Sequence, residues 1–147
     1  MMSIAFHSEQ TDFQPTNTTE LGAFFSDMLR QEEAQAGEIQ IIFCVDTYLL
    51  KINKDYLQHD SLTDIITFPY SYDPVSCDIF ISVDRVRENA IAYDQGFLRE
   101  LMRVMLHGLL HMVGYGDKSE QEQRIMRSRE DYWLSEAEKR GLINPPS

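Results

Sequence analysis

The sequence predicts an α+β fold forming a single domain, residues 1–147: a small four-stranded mixed sheet flanked by helices, with a metal-binding core helix near the C-terminus. Three observations predict it. Three short runs are rich in β-branched residues and a fourth, residues 2–7, is a short apolar run; other segments carry apolar residues at 3–4 spacing, and no linker or internal repeat divides the 147 residues.

Residues 2–7 are a short apolar run. After a loose stretch from Ser8 to Thr18, Thr18 or Thr19 offers an N-cap for a helix through about Glu33, with Leu21, Phe24, Phe25, Met28 and Leu29 on one face and Gly37 as the stop. Glu38 to Asp46 has strand composition, and Asp46 can cap a helix bearing Tyr48, Leu49, Ile52, Tyr56 and Leu57. Asp64 to Pro69 and Asp78 to Val83 are strands joined by a Tyr/Ser/Asp/Pro turn, expected to be antiparallel neighbours. With Asp84 as N-cap, the rest is helical over about 84–94, 97–113 and 119–140, broken at Gly96 and Gly114/Gly116 and ended at Gly141.

The formal charge is −11, and the six basic and six acidic residues between Lys118 and Arg140 cancel, so the excess acid lies in the first 117 residues. That balance excludes a surface that grips nucleic acid or an anionic membrane throughout, while allowing a local basic patch. No apolar run approaches the ~20 residues of a membrane span, and Met1 to Ile4 lacks a basic leader, so a cytoplasmic protein is expected. Cys44 and Cys77 lie in strand-like stretches, where buried reduced thiols are expected.

Val104 to Val113 is apolar around most of a helix, so His107 and His111 are carried into the core with their rings on one face, Cβ atoms ~5–6 Å apart. Two such imidazoles can converge on one ion at ~2.0–2.1 Å. Gly114 can turn the chain back and Asp117 follows three residues later, giving His107-x-x-x-His111-x-x-Gly114-x-x-Asp117. This is the ligand spacing of the extended zincin pattern with aspartate as third ligand, leaving a coordination position for water. A lone buried histidine is more often a satisfied core group; the pair with Gly and a carboxylate at these distances favours a metal. Gly108 stands where zinc proteases carry their general-base Glu, which argues against peptide hydrolysis and suggests a groove beside the metal for a bulky substrate.

The chain resembles the YbeY family of metal-dependent endoribonucleases, over roughly residues 38 to 140. The family signature H-G-x-L-H-L-x-G-Y-D-H is matched by His107-Gly108-Leu109-Leu110-His111-Met112-Val113-Gly114-Tyr115-Gly116-Asp117. A second, L-N-x-x-Y-R-x-x-D-x-x-T-D-V-L-S-F-P, is similar to residues 52–69, and G-D-I-x-I-S to residues 77–82. The resemblance implies ribosomal RNA maturation, including 16S 3′-end processing, and ribosome quality control, with one zinc per chain on His107, His111 and Asp117. Asp117 stands where the family usually has His, and Leu57 where it has an arginine implicated in handling RNA.

Substitutes for that arginine are sought in Arg85, Arg87, Arg99 and Arg103, the last also a supporting catalytic candidate one turn before His107. Thr63, Asp64 and Thr67 can orient substrate or ligands, or simply cap a turn and strand start. Tyr56, Phe68, Tyr70 and Tyr115 can stack on unpaired bases, or belong to the core. The expected partners are ribosomal RNA and basic ribosomal subunit proteins, with no membrane and no small-molecule cofactor. The competing readings are an assembly factor with a structural zinc and a zincin-like hydrolase of other substrates.

Overall fold

A computed structural model describes residues 3–57 and 63–144. The elements are β1 (Ser3–Ser8), α1 (Thr18–Gln31), β2 (Ala36–Cys44), α2 (Asp46–Leu57), β3 (Ile65–Tyr72), β4 (Val75–Ser82), α3 (Val83–Ala92), α4 (Phe97–Met112) and α5 (Glu120–Lys139). The four strands form one sheet in the order β1-β2-β4-β3. β1 and β4 run parallel to β2, and β3 is antiparallel to β4, so the sheet is mixed as expected. Met1, Met2, the middle of the second motif (58–62) and Pro145 to Ser147 lie outside the described residues.

Strand alternation divides the interior in two. Ile39, Ile41 and Phe43 of β2 and Cys77, Ile79 and Ile81 of β4 pack with α1, α4 and α5 in the main core, around Phe24, Phe25, Leu106, Leu109 and Trp133. The other face meets α2 through Leu49, Ile66, Phe68 and Phe80. Both cysteines are buried and unpaired, and burial pushes each thiol up to about 12. Among the described residues no helix is long and apolar enough to cross a membrane.

Helix ends depart from the expectations, because left-handed closures occur without glycine. α1 ends at Glu33, with φ 63°, where the Ala34 N–H bonds the Leu29 carbonyl; Gly37 lies inside β2 instead. Asp94, with φ 53°, closes α3 in the same way, and Gly96 is the N-cap of α4. At α4 the closure falls on glycine as predicted: Gly114 has φ 109°, and the Tyr115 N–H bonds the Leu110 carbonyl.

The expected N-caps also shift. Asn17 precedes α1, with Thr18 and Thr19 in its first turn. The cap of α3 is Ser82, whose hydroxyl oxygen accepts from the Arg85 N–H, in place of Asp84. Asp84 instead accepts the Asp46 N–H at 2.9 Å, and the Asp46 carboxylate accepts from the Ser82 hydroxyl and Arg85 Nε, tying the starts of α2 and α3 together.

Gly108 does not open a groove beside the metal residues. It is buried against the sheet, where a Cβ would lie 2.8 Å from Ile65 Cδ1 and 3.3 Å from Ile79 Cδ1. The missing side chain lets α4 sit close on β3 and β4.

A second tie crosses the molecule at Glu32, just past α1. Its carboxylate accepts from the Tyr115 hydroxyl at 2.8 Å, Trp133 Nε1 at 2.8 Å and Arg129 Nη2 at 2.5 Å. Burial alone would raise the Glu32 carboxyl, but hydrogen bonds from Trp133, Arg129 and Tyr115 outweigh it and hold the pKa below the usual value.

Gly108→Glu should lower the unfolding free energy in urea by about 3 kcal/mol or more, because a carboxylate would be driven against Ile65 and Ile79. A depressed carboxyl pKa contributes stability above the ordinary value, about 4.3, that is lost as pH falls through the lowered native value. Glu32→Gln should therefore lower the melting temperature at neutral pH, with the difference shrinking below about pH 4.3.

Candidate metal centre and cleft

The His107 and His111 rings project from the same side of α4, their centroids 4.5 Å apart and their planes nearly perpendicular. The Gly114 turn brings Asp117 back to them, and one ligand atom from each of the three residues lies within 4.8 Å of the others. Asp117 Oδ2 is 3.4 Å from His107 Nε2 and 3.2 Å from His111 Nε2.

The other ring nitrogens are occupied. His111 Nδ1 is 2.8 Å from the Tyr115 carbonyl, which can only accept, so Nδ1 carries the proton and a neutral ring presents its Nε2 lone pair to Asp117. His107 Nδ1 is 2.7 Å from Glu130 Oε2, with the same consequence when Glu130 is ionised. Burial works against the charged form of His107, but the Glu130 hydrogen bond and the charges of Glu130, Asp117 and Asp64 together raise its pKa.

Three acceptors facing one another at such distances are favourable only around a proton or a cation. Tetrahedral bonds of about 2.0–2.1 Å separate ligand atoms by about 3.3 Å, close to the two separations from Asp117. His107, His111 and Asp117 can therefore hold a metal ion.

Glu130, beside His107, is a residue that the sequence reading missed. It is 4% exposed, accepts from Arg103 Nη1 at 2.8 Å through its other oxygen, and so both orients His107 and is itself held. Its signal was present: it sits on the buried stripe of α5 with Met126, Trp133, Leu134 and Ala137, a carboxylate at an apolar position.

A cleft of about 780 Å³ opens beside His107 and Asp117 between α3, α4 and α5. Asp64 lines it, accepting from Asn89 Nδ2 at 3.5 Å, and burial raises its carboxyl pKa, partly offset by His107. Thr63 turns its hydroxyl to the Ile65 carbonyl, and Thr67 lies mid-strand opposite Ile79.

The expected arginines separate. Arg103 lines the cleft, bound to Glu130 and Asp131. Arg85 is bound to Asp46, Arg87 lies 3.9 Å from Asp84 and over the Phe97 ring, and Arg99 is bound to Glu138; none of these three lines the cleft. Arg124 and Arg127 of α5 do line it. Tyr56 of α2 and Phe68 of β3 pack in an edge contact, Tyr70 bonds Asp78, and Tyr115 bonds Glu32. Among the described residues, Tyr93 is the tyrosine that lines the cleft.

Because Glu130 both orients His107 and accepts from it, Glu130→Gln should weaken metal binding roughly 10- to 100-fold, measured by competition with a chromogenic chelator.

A family model described as Endoribonuclease YbeY matches residues 3–138. Similar proteins include Endoribonuclease YbeY of Flavobacterium psychrophilum, 48% identical over 129 residues that span 87% of this chain and 91% of that one. The Cytophaga hutchinsonii protein of the same name is 42% identical over 135 residues, 90% of this chain and 94% of that one. The solution structure of a Thermotoga maritima protein superposes with a TM-score of 0.70, covering 97% of this chain and 94% of that one at 22% identity, and shows the shared fold. With its His-Gly-x-Leu-His helix, its Gly-Tyr turn and a match running through nearly every element of the fold, this chain belongs to the YbeY family of endoribonucleases.

Proposed function

We propose that this endoribonuclease carries one zinc ion per chain on His107, His111 and Asp117 and cuts single-stranded ribosomal RNA during subunit maturation in the cytoplasm. The 16S 3′ end and the quality control of ribosomal particles are its place of action, and residues 1–147 act as one unit. The observation that supports the metal is the facing of Nε2, Nε2 and Oδ2 while both Nδ1 atoms are engaged elsewhere. Structural zinc sites are closed, whereas the Asp117 side chain is 45% exposed beside a cleft, which favours a catalytic site.

A bound divalent ion would supply a Lewis acid for a phosphoryl oxygen and lower the pKa of a coordinated water. The chain supplies the rest. Glu130 and the Tyr115 carbonyl keep the imidazoles aimed, and Arg103 holds Glu130. Asp64, in the cleft, positions a substrate hydroxyl or water, with Thr63 beside it supporting the turn. Arg124 and Arg127 meet phosphates in the cleft; Arg103 lines it too but, like Arg85, Arg87 and Arg99, can do so only by leaving its present partners. With so few cations over an acidic body, affinity for free RNA should be weak and ribosomal proteins should supply much of the targeting.

Elemental analysis should find one zinc per chain in the wild type and none in a His107→Ala/His111→Ala variant. Cleavage of a short single-stranded ribosomal RNA fragment should be abolished by chelation and in that variant, and reduced in Asp117→Ala. Metal loss with unchanged cleavage would overturn the reading.

A further inference from the structure

The face of α4 that carries His107 continues toward the helix start through Val104 and Arg103 to Glu100, all lining the same cleft. Glu100 is 6% exposed, yet no described residue gives its carboxylate a hydrogen bond or ion pair. No enclosed side-chain oxygen or nitrogen among the described residues lacks a partner, so the Glu100 oxygens are open to the cleft rather than sealed behind it. Burial, reinforced by Asp64 and opposed by Arg103, raises its carboxyl pKa.

An unpaired carboxylate in such a place costs stability. A first-turn acid gains from the helix dipole just as well when exposed, so the helix does not account for the burial. A ligand offering N–H donors into the cleft does.

The surroundings specify that ligand. Tyr93, 62% exposed, lines the cleft and offers an aromatic ring for a base to stack on, and Arg124 and Arg127 offer charge to phosphates. Among the unpaired bases of RNA, guanine alone has two adjacent donors on its Watson–Crick edge, N1–H and N2–H, matching the two oxygens of a carboxylate. Adenine and cytosine set an acceptor nitrogen beside their amino group, and uracil has one donor between two acceptors.

We propose that Glu100 is a base-reading residue, its carboxylate accepting N1–H and N2–H of an unpaired guanine stacked on Tyr93. The assignment rests on the endoribonuclease reading above and adds a sequence preference to it. Glu100 precedes His107 by seven residues, about 10 Å along the helix, so the guanine lies to one side of the scissile phosphate.

The test uses end-labelled single-stranded RNAs of uridine and adenosine that differ only by one guanosine, inosine or adenosine at a central position. Binding to the full chain is read by fluorescence anisotropy without added metal, and cleavage with zinc present. The guanosine strand should bind about tenfold tighter than the adenosine strand, with inosine, lacking the N2 amino group, between them. In Glu100→Gln the guanosine-to-adenosine ratio should fall to about one, while the melting temperature stays at or above that of the wild type because an unpaired buried charge has gone. Equal binding of both strands by the wild type, or an equal loss on every strand in Glu100→Gln, overturns the guanine site. Cleavage at positions indifferent to guanosine overturns that site alone, whereas no cleavage of any strand with zinc overturns the endoribonuclease reading and the site with it.

Discussion

The close seating of α4 on the sheet is the contact on which the functional architecture depends. At Gly108 a Cβ would press on the side-chain ends of Ile65 and Ile79, so the helix backbone lies close on the sheet there. With Leu106, Leu109 and Leu110 fully buried, the side bearing Glu100, Arg103, Val104 and His107 must face the cleft. The glycine expected to make room for substrate makes room for the sheet instead, and the open space lies on the neighbouring face of the helix.

Around that helix the charged groups are organised mainly by pairing. Arg103 bridges Glu130 and Asp131, Arg129 meets Glu32, and Arg85 meets Asp46, so the scarce cations of a chain with net charge −11 are largely committed. Two of these pairs reach the metal residues. Glu130 passes the grip of Arg103 to His107, and Glu32 anchors the Tyr115 ring, whose residue supplies the carbonyl bonded to His111. Each imidazole is therefore oriented through a buried carboxylate that other elements hold in place. Glu100 is the exception on this face, buried with no partner among the described residues.

Much of the fold was legible because its signals are local. All nine elements were anticipated, and the mixed sheet with an antiparallel β3–β4 pair follows from strand composition and a short turn. The errors fell at element ends: β3 and β4, expected to stop at Pro69 and to start at Asp78, run on to Tyr72 and from Val75, so most of the expected turn is strand. Glycine was expected to stop α1 and α3, but Glu33 and Asp94 adopt the left-handed conformation themselves, an arrangement that hydrogen bonds across the end can hold against the cost of a Cβ. Similarly, Asp46 and Asp84 were expected to cap their own helices, whereas each bonds across to the other's region.

By itself the sequence determined that His107, His111 and Asp117, a group that could hold a metal ion, come together, because a four-residue helical step, a glycine turn and a three-residue return are local geometry. It could not assign the arginines, since whether a cation faces a cleft or a carboxylate depends on residues 27 to 39 positions away, as with Arg103 and Glu130 or Arg85 and Asp46. Glu130 beside His107, Tyr93 and Glu100 at the cleft, and the sheet beneath Gly108 were decided only when α3, α5 and β3 packed around α4. Helical spacing is fixed by backbone geometry within a few residues; the company a side chain keeps across the core is fixed by burial of the whole.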